Sequence, residues 1–188
     1  MKHAMIDLEC LGNGTNGLIV SIGAAEFEPG GDDLADPGRT FKANLTIQSG
    51  LNAGAVVEGR TIVWWLQQDD AARKALTDPG PVPEREALAA LRAWLTKCGV
   101  EFVWGHGVNY DLRILAQAYL RYKQQIPWPW RNERDTRTLF DVAGVTPEDW
   151  AAVEARIPAG VKHEPVFDAV KQVGVVQRCY NRLKACPA

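Results

Sequence analysis

Hydrophobic and polar positions alternate with a period of two near the start of the chain. Met5, Asp7 and Glu9 fall on one side and Ile6 and Leu8 on the other, so His3 to Glu9 reads as a strand. Residues 11–17, LGNGTNG, form a turn-rich loop, and residues 18–28 and 39–47 read as a second and a third strand. Residues 29–38 between them form an irregular hairpin loop, and short connections of this kind favour antiparallel pairing. Further on, the period lengthens. Thr61 is placed to cap a helix through residues 63–76, and Pro83 opens an amphipathic helix with Leu88, Leu91 and Leu95 on one face. Residues 101–105 form a short buried strand. Asp111 starts a helix whose apolar stripe is Leu112, Leu115, Ala116 and Tyr119. Residues 126–138 read as a loop and short strand leading to a helix near Thr138, and residues 147–156 as an extra short helix. A last helix runs from about Pro165 toward Leu183, with Val166, Val170, Val173, Tyr180 and Leu183 inward. Strands first, then alternating helices and strands, predict an α/β mixed sheet with helices on its faces. No repeat or long linker divides the 188 residues, which are expected to form one domain.

Composition narrows the picture modestly. Hydrophobic residues make up 46% and charged residues 23%, ordinary for a globular chain. A net charge of −2 argues mildly against broad coating of nucleic acid, yet leaves a nucleic-acid enzyme open, because acids gathered in a site lower the formal count. Cys10, Cys98, Cys179 and Cys186 contain no CxxC pair, so a zinc knuckle is not expected; they read as reduced thiols of a cytoplasmic protein. Acidic residues begin at Asp7, which fits no signal peptide, and no apolar run approaches the roughly 18 residues of a membrane span.

The candidate chemistry lies in five residues. Asp7 and Glu9 share a strand face, which in isolation reads as a solvated face. Asp111 alone is explained by the helix dipole. His163 and Asp168 are five residues apart, which on one helix would turn them about 140° from each other. They converge only if His163 precedes the helix, as Pro165 at the first helical position suggests. Gathered at one point, like charges about 4 Å apart repel by roughly 4 kcal/mol per pair at an effective dielectric of 20. Protonation or hard divalent cations would relieve that. The set therefore points to metal-assisted phosphodiester hydrolysis with His163 as proton acceptor.

Three motifs in order carry a resemblance: Asp7-Leu8-Glu9, then His106-Gly107-Val108-Asn109-Tyr110-Asp111, then His163-Glu164-Pro165-Val166-Phe167-Asp168. They resemble the D-x-E, H-N-A-x-F-D and H-x-A-x-x-D motifs of the DEDD exonuclease superfamily, His-containing branch (DnaQ-like, ribonuclease H-like fold). Gly107 departs from the usual Asn and Pro165 from the usual Ala. Residues 61–73, the VWGHGVNYD segment and residues 127–139 are similar to a narrower group of bacterial and phage members, which includes a mycobacterial exoribonuclease and phage exodeoxyribonucleases. The resemblance implies a mixed five-stranded sheet of order 3-2-1-4-5 with strand 2 antiparallel. It implies two divalent cations, Mg²⁺ or Mn²⁺, held by Asp7, Glu9, Asp111 and Asp168, and His163 as general base. The substrate would be single-stranded nucleic acid, shortened from its 3′ end to 5′-nucleoside monophosphates, with RNA slightly favoured over DNA. Trp64 and Trp65 would stack on bases, unless one of them packs helix to sheet. Arg131, Arg134 and Arg137 would grip phosphates, unless they form a solvated basic loop. Leu11, Gly12, His106 and Asn109 are further candidate substrate contacts, and Asp135 reads as a structural cap or salt-bridge partner and not as a metal ligand. A non-catalytic nucleic-acid-binding or polymerase-associated module is the competing reading, against which the intact set of five residues argues. A homodimer is left open.

Overall fold

The computed structural model describes residues 2–32, 39–78 and 80–185. Its centre is a five-stranded sheet built from β1 (Lys2–Cys10), β2 (Ile19–Phe27), β3 (Thr40–Asn44), β4 (Val100–Gly105) and β5 (Glu133–Asp135), in the order β3-β2-β1-β4-β5. β2 runs antiparallel to β1 and β3, while β4 lies parallel to β1 and β5 parallel to β4. The expected mixed sheet and strand order are therefore present. Part of the expected hairpin loop, residues 33–38, and Cys186 lie outside the described residues.

Period-two alternation sorts β1 between two cores. Ala4, Ile6, Leu8 and Cys10 pack with Leu88, Leu91 and Leu95 of α4 (Glu84–Cys98) and with Leu112, Leu115 and Tyr119 of α5 (Asp111–Arg121). Met5, on the opposite face, packs with Phe27, Trp104 and the inner positions of α8 (Pro165–Ala185). On that second face Asp7 and Glu9 succeed Met5, so the apolar layer ends and a carboxylate layer begins along one strand.

Four local expectations are corrected. The third strand ends at Asn44 instead of residue 47, and a short helix, α1 (Ile47–Asn52), follows. The helix expected from Thr61 begins earlier and is broken: α2 covers Gly59–Leu66 and α3 Asp70–Ala75. Thr61 is buried inside α2 and is no cap, while Asp69 accepts from the Ala72 amide at 2.7 Å and so starts α3 anew. The inner face of α8 is Ala169, Gln172, Val173, Val176 and Cys179, whereas Leu183 is exposed. Ala116 of α5 is half-buried, and Ile114 and Ala118 take its place in the stripe. The remaining helices are α6 (Thr136–Ala143) and α7 (Pro147–Glu154), close to their expected positions. Among the described residues no helix is long and apolar enough to cross a membrane.

Two features aim residues at the site. The parallel β1–β4 register stops at Met5 opposite Trp104, so the last residues of β1 outrun β4 and open a crevice at the strand's carboxyl end. On the other face, α8 crosses β2 at Gly23, where an added Cβ would stand 2.2 Å from the Pro165 carbonyl carbon. Only glycine permits that approach, and it brings the first turn of α8 over the sheet.

Candidate active site

The crevice is a cleft of about 520 Å³, lined by Asp7, Glu9, Asp111, His163 and Asp168 together with residues of α2, α5 and α8. All five sequence-predicted centre residues thus share it. Ligand atoms of Glu9, His163 and Asp168 lie within 4.8 Å of one another. Asp111 joins through the backbone: its Oδ1 accepts from the Leu8 amide at 3.2 Å. Leu8 lies beyond the β1–β4 pairing, so its buried amide needs an acceptor, and the helix-start aspartate supplies one. Asp7 Oδ1 accepts from Gln172 Nε2 at 2.9 Å.

His163 precedes α8, as its distance from Asp168 requires. Its φ of 64° is left-handed, an uncommon conformation for a non-glycine residue, and its amide donates to Asp168 Oδ2 at 3.1 Å. Its ring is edge-on to Trp64 and Trp65, at centroid distances of 4.9 and 5.9 Å. Nδ1 stands 4.0 Å from Glu9 Oε1, which is too far for a hydrogen bond.

Electrostatics sets this cleft apart. Burial, then the charges of Asp168 and Asp111, push the Glu9 carboxyl up to about 9. Burial raises Asp7 well above the usual aspartate range, reinforced by Asp111, Glu9 and Asp168, and burial also raises Asp111 and Asp168. Burial, followed by the charge of Lys162, lowers His163. Without cations Glu9 and His163 are therefore both neutral at neutral pH, and their approach is no ion pair. An all-oxygen set that resists ionisation for want of positive charge fits hard divalent cations.

The outer candidates separate. Trp65 is buried, with its Nε1 donating to Cys10 O at 3.0 Å, so it anchors α2 to β1, while Trp64 is 41% exposed at the cleft wall. Arg137 and His106 line the cleft, and His106 Nδ1 lies 2.8 Å from Thr136 Oγ1. Five candidates are not brought there, among them Arg131, which is exposed and lies over the Trp130 ring at 5.8 Å. Leu11 packs on Leu18, Val20 and Ala55, and Gly12 is buried beside it. Asn109 is exposed and does not line the cleft. Arg134 lies over Phe102 at 4.5 Å, with Nη1 donating to two backbone carbonyls of its own segment. Asp135 is a cap, taking the Arg137 amide on Oδ1 and the Val108 amide on Oδ2. Sequence reasoning missed Gln172, Asn13, Arg60 and Tyr110, all in the lining. A polar residue inside the apolar stripe of α8 could have revealed Gln172; nothing local marks Asn13.

Comparison with known proteins now decides the family. The family described as the 3′-5′ exoribonuclease Rv2179c-like domain matches residues 2–180. The chain belongs to this family. It is accordingly a 3′-5′ exonuclease. No curated protein matches the chain. Among solved structures, the RNase domain of the yeast Pop2 protein is similar at 9% identity and a TM-score of 0.52, covering 97% of this chain and 76% of that one. A structure of the yeast NOT1 MIF4G domain co-crystallized with CAF1 matches at 10% identity and a TM-score of 0.49, covering 97% and 79%. The Pop2 likeness supports the ribonuclease H-like fold.

Proposed function

We propose that this exonuclease hydrolyses single-stranded RNA from its 3′ end to 5′-nucleoside monophosphates, with two divalent cations, Mg²⁺ or Mn²⁺, and His163 as general base. The observation that carries the reading is the group of four carboxylates, two buried and two half-buried and all shifted upward, with no lysine or arginine bonded to any of them among the described residues and the neutral amide of Gln172 on Asp7. Asp7, Glu9, Asp111 and Asp168 would hold the cations, which supply Lewis-acid stabilisation of the attacking and leaving oxygens. His163, kept neutral by burial, takes the proton of the attacking water on a ring nitrogen facing Glu9. Trp64 offers an exposed ring at the wall for one base, worth about 1–3 kcal/mol by stacking. The family's description as exoribonucleases supports RNA.

Strands labelled at the 5′ end, one RNA and one DNA of the same sequence, test this directly. The RNA should yield a descending ladder and mononucleotides, and a circular RNA should resist. Rapid cutting of the circle would contradict an exonuclease, and a tenfold higher kcat/KM on DNA would overturn the choice of sugar, a difference of about 1.4 kcal/mol.

A further inference from the structure

We propose that Arg137 is a catalytic residue that binds a non-bridging oxygen of the scissile phosphate in the transition state, with Gly107 as the shelf beneath its guanidinium. The proposal rests on the exonuclease reading above. Two arginines line the cleft. Arg60 is engaged, its Nε donating to Glu58 Oε2 at 2.7 Å. Arg137 is exposed, and among the described residues its guanidinium has no hydrogen bond and no ion pair. A free cation at the rim of an acidic cleft needs an explanation, since four carboxylates are at hand to take it.

The backbone explains how it is kept free. Asp135 takes the Val108 amide on one oxygen and the Arg137 amide on the other, so one carboxylate ties the two segments side by side. Gly107 sits at φ 102°, and a Cβ there would stand 3.1 Å from Arg137 Cζ and Nη1. A side chain at 107 would displace the guanidinium. The departure from asparagine in the second motif and the presence of Arg137 are thus one arrangement: the space an amide would fill holds an arginine instead. Its charge acts on Asp111 and His106, which line the same cleft. Four carboxylates and two divalent cations cancel formally, so the phosphodiester and the extra negative charge of its transition state meet no net countercharge from them. Arg137 supplies it, and its planar fork suits a phosphate. It neither gives nor takes a proton.

Steady-state kinetics on a 5′-labelled RNA strand, with Mn²⁺ binding followed by electron paramagnetic resonance, test the proposal. Arg137→Ala should lower kcat about 10²–10³-fold, leave KM and Mn²⁺ binding little changed, and recover part of kcat when guanidinium is added at non-denaturing concentration. Arg137→Lys should recover less than the native fork provides. Gly107→Ala should lower kcat in the same direction, and adding it to Arg137→Ala should cost little more. An unchanged kcat, a loss confined to KM, or no rescue by guanidinium would overturn the assignment while leaving the exonuclease reading intact. A wild-type protein that does not shorten strands from the 3′ end would overturn both.

Discussion

Asp149 is a buried acid and Asp7 a half-buried one, and the protein treats them in opposite ways. Asp149, in the first turn of α7, accepts from Arg178 and Arg182 on one oxygen and from the Thr146 amide on the other. The arginines hold its carboxyl down to about 2. Glu84 is paired similarly, with Arg121 Nη2 at 2.6 Å and both side chains buried. Among the described residues Asp7 receives only the neutral amide of Gln172, and it has three acids for company, so burial drives it the other way. The fold can supply arginines to buried carboxylates and does so at two structural points. In the cleft no arginine bonds to the carboxylates among the described residues, which leaves room for cations that come from solution.

The sharpest way to break the contrast is to remove an unpaired acid. Asp7→Asn should lower turnover on the order of 10³-fold or more, since Lewis-acid stabilisation is worth several kcal/mol, and chelator should do the same to the wild type. Substantial hydrolysis in chelator would show that the cleft does not wait for cations. Next, His163→Ala should lower turnover about 10²–10⁴-fold while Mn²⁺ binding, measured calorimetrically, stays near normal. The wild-type rate should rise with pH and level off below histidine's usual 6.5, because burial lowers His163 and the base must be unprotonated. A rate that falls over that limb would assign the base elsewhere.

Much of this was legible in the sequence, for a reason visible in β1. Strand alternation fixes the faces of Met5, Asp7 and Glu9 whatever surrounds them, and the turn angle of a helix required His163 to lie outside α8. The resemblance carried by the three motifs implied the sheet order that the fold shows, and the cap reading of Asp135 matches its two amide bonds. Placement in the third dimension was less legible. Leu11 and Gly12 follow the first motif directly, yet the bulge at Glu9/Cys10 and the bond from the Leu11 amide to Leu18 O carry them away from the cleft. Arg134 and Arg137 share one short segment, but at the end of β5 the chain turns into α6, so one lies over Phe102 and the other lines the cleft. The break between α2 and α3 escaped a reading by periodicity because Asp69 acts as a cap inside an apparently continuous pattern.

Gln172 sharpens the comparison at intermediate size. Gln172→Leu removes the amide that donates to Asp7, and loss of such a supporting bond should weaken Mn²⁺ affinity about 10–100-fold. Unaltered affinity would mean that Asp7 needs no orienting partner. The smaller effects concern stability. Asp149→Ala should cost roughly 2 kcal/mol, combining a lost cap with a partly exposed ion pair. The pH signs are opposite for the two kinds of acid. Asp149, held down to about 2, contributes stability that is full above the unfolded aspartate value and is lost as pH falls toward 2. Glu9, raised to about 9, makes the cation-free protein lose stability as pH rises from the ordinary glutamate value toward 9. Denaturant titrations across pH, in chelator, would show both slopes or fail to.

The most direct test of unpaired acids awaiting cations is the melting temperature of wild type and Asp7→Asn, each in chelator and in Mn²⁺. Asp7→Asn removes an acid whose upward shift costs the cation-free fold stability at neutral pH, so it should raise the melting temperature in chelator, and Mn²⁺ should stabilise the wild type much more than the variant. A variant that melts below the wild type in chelator, with no shift of either protein by Mn²⁺, would contradict the account.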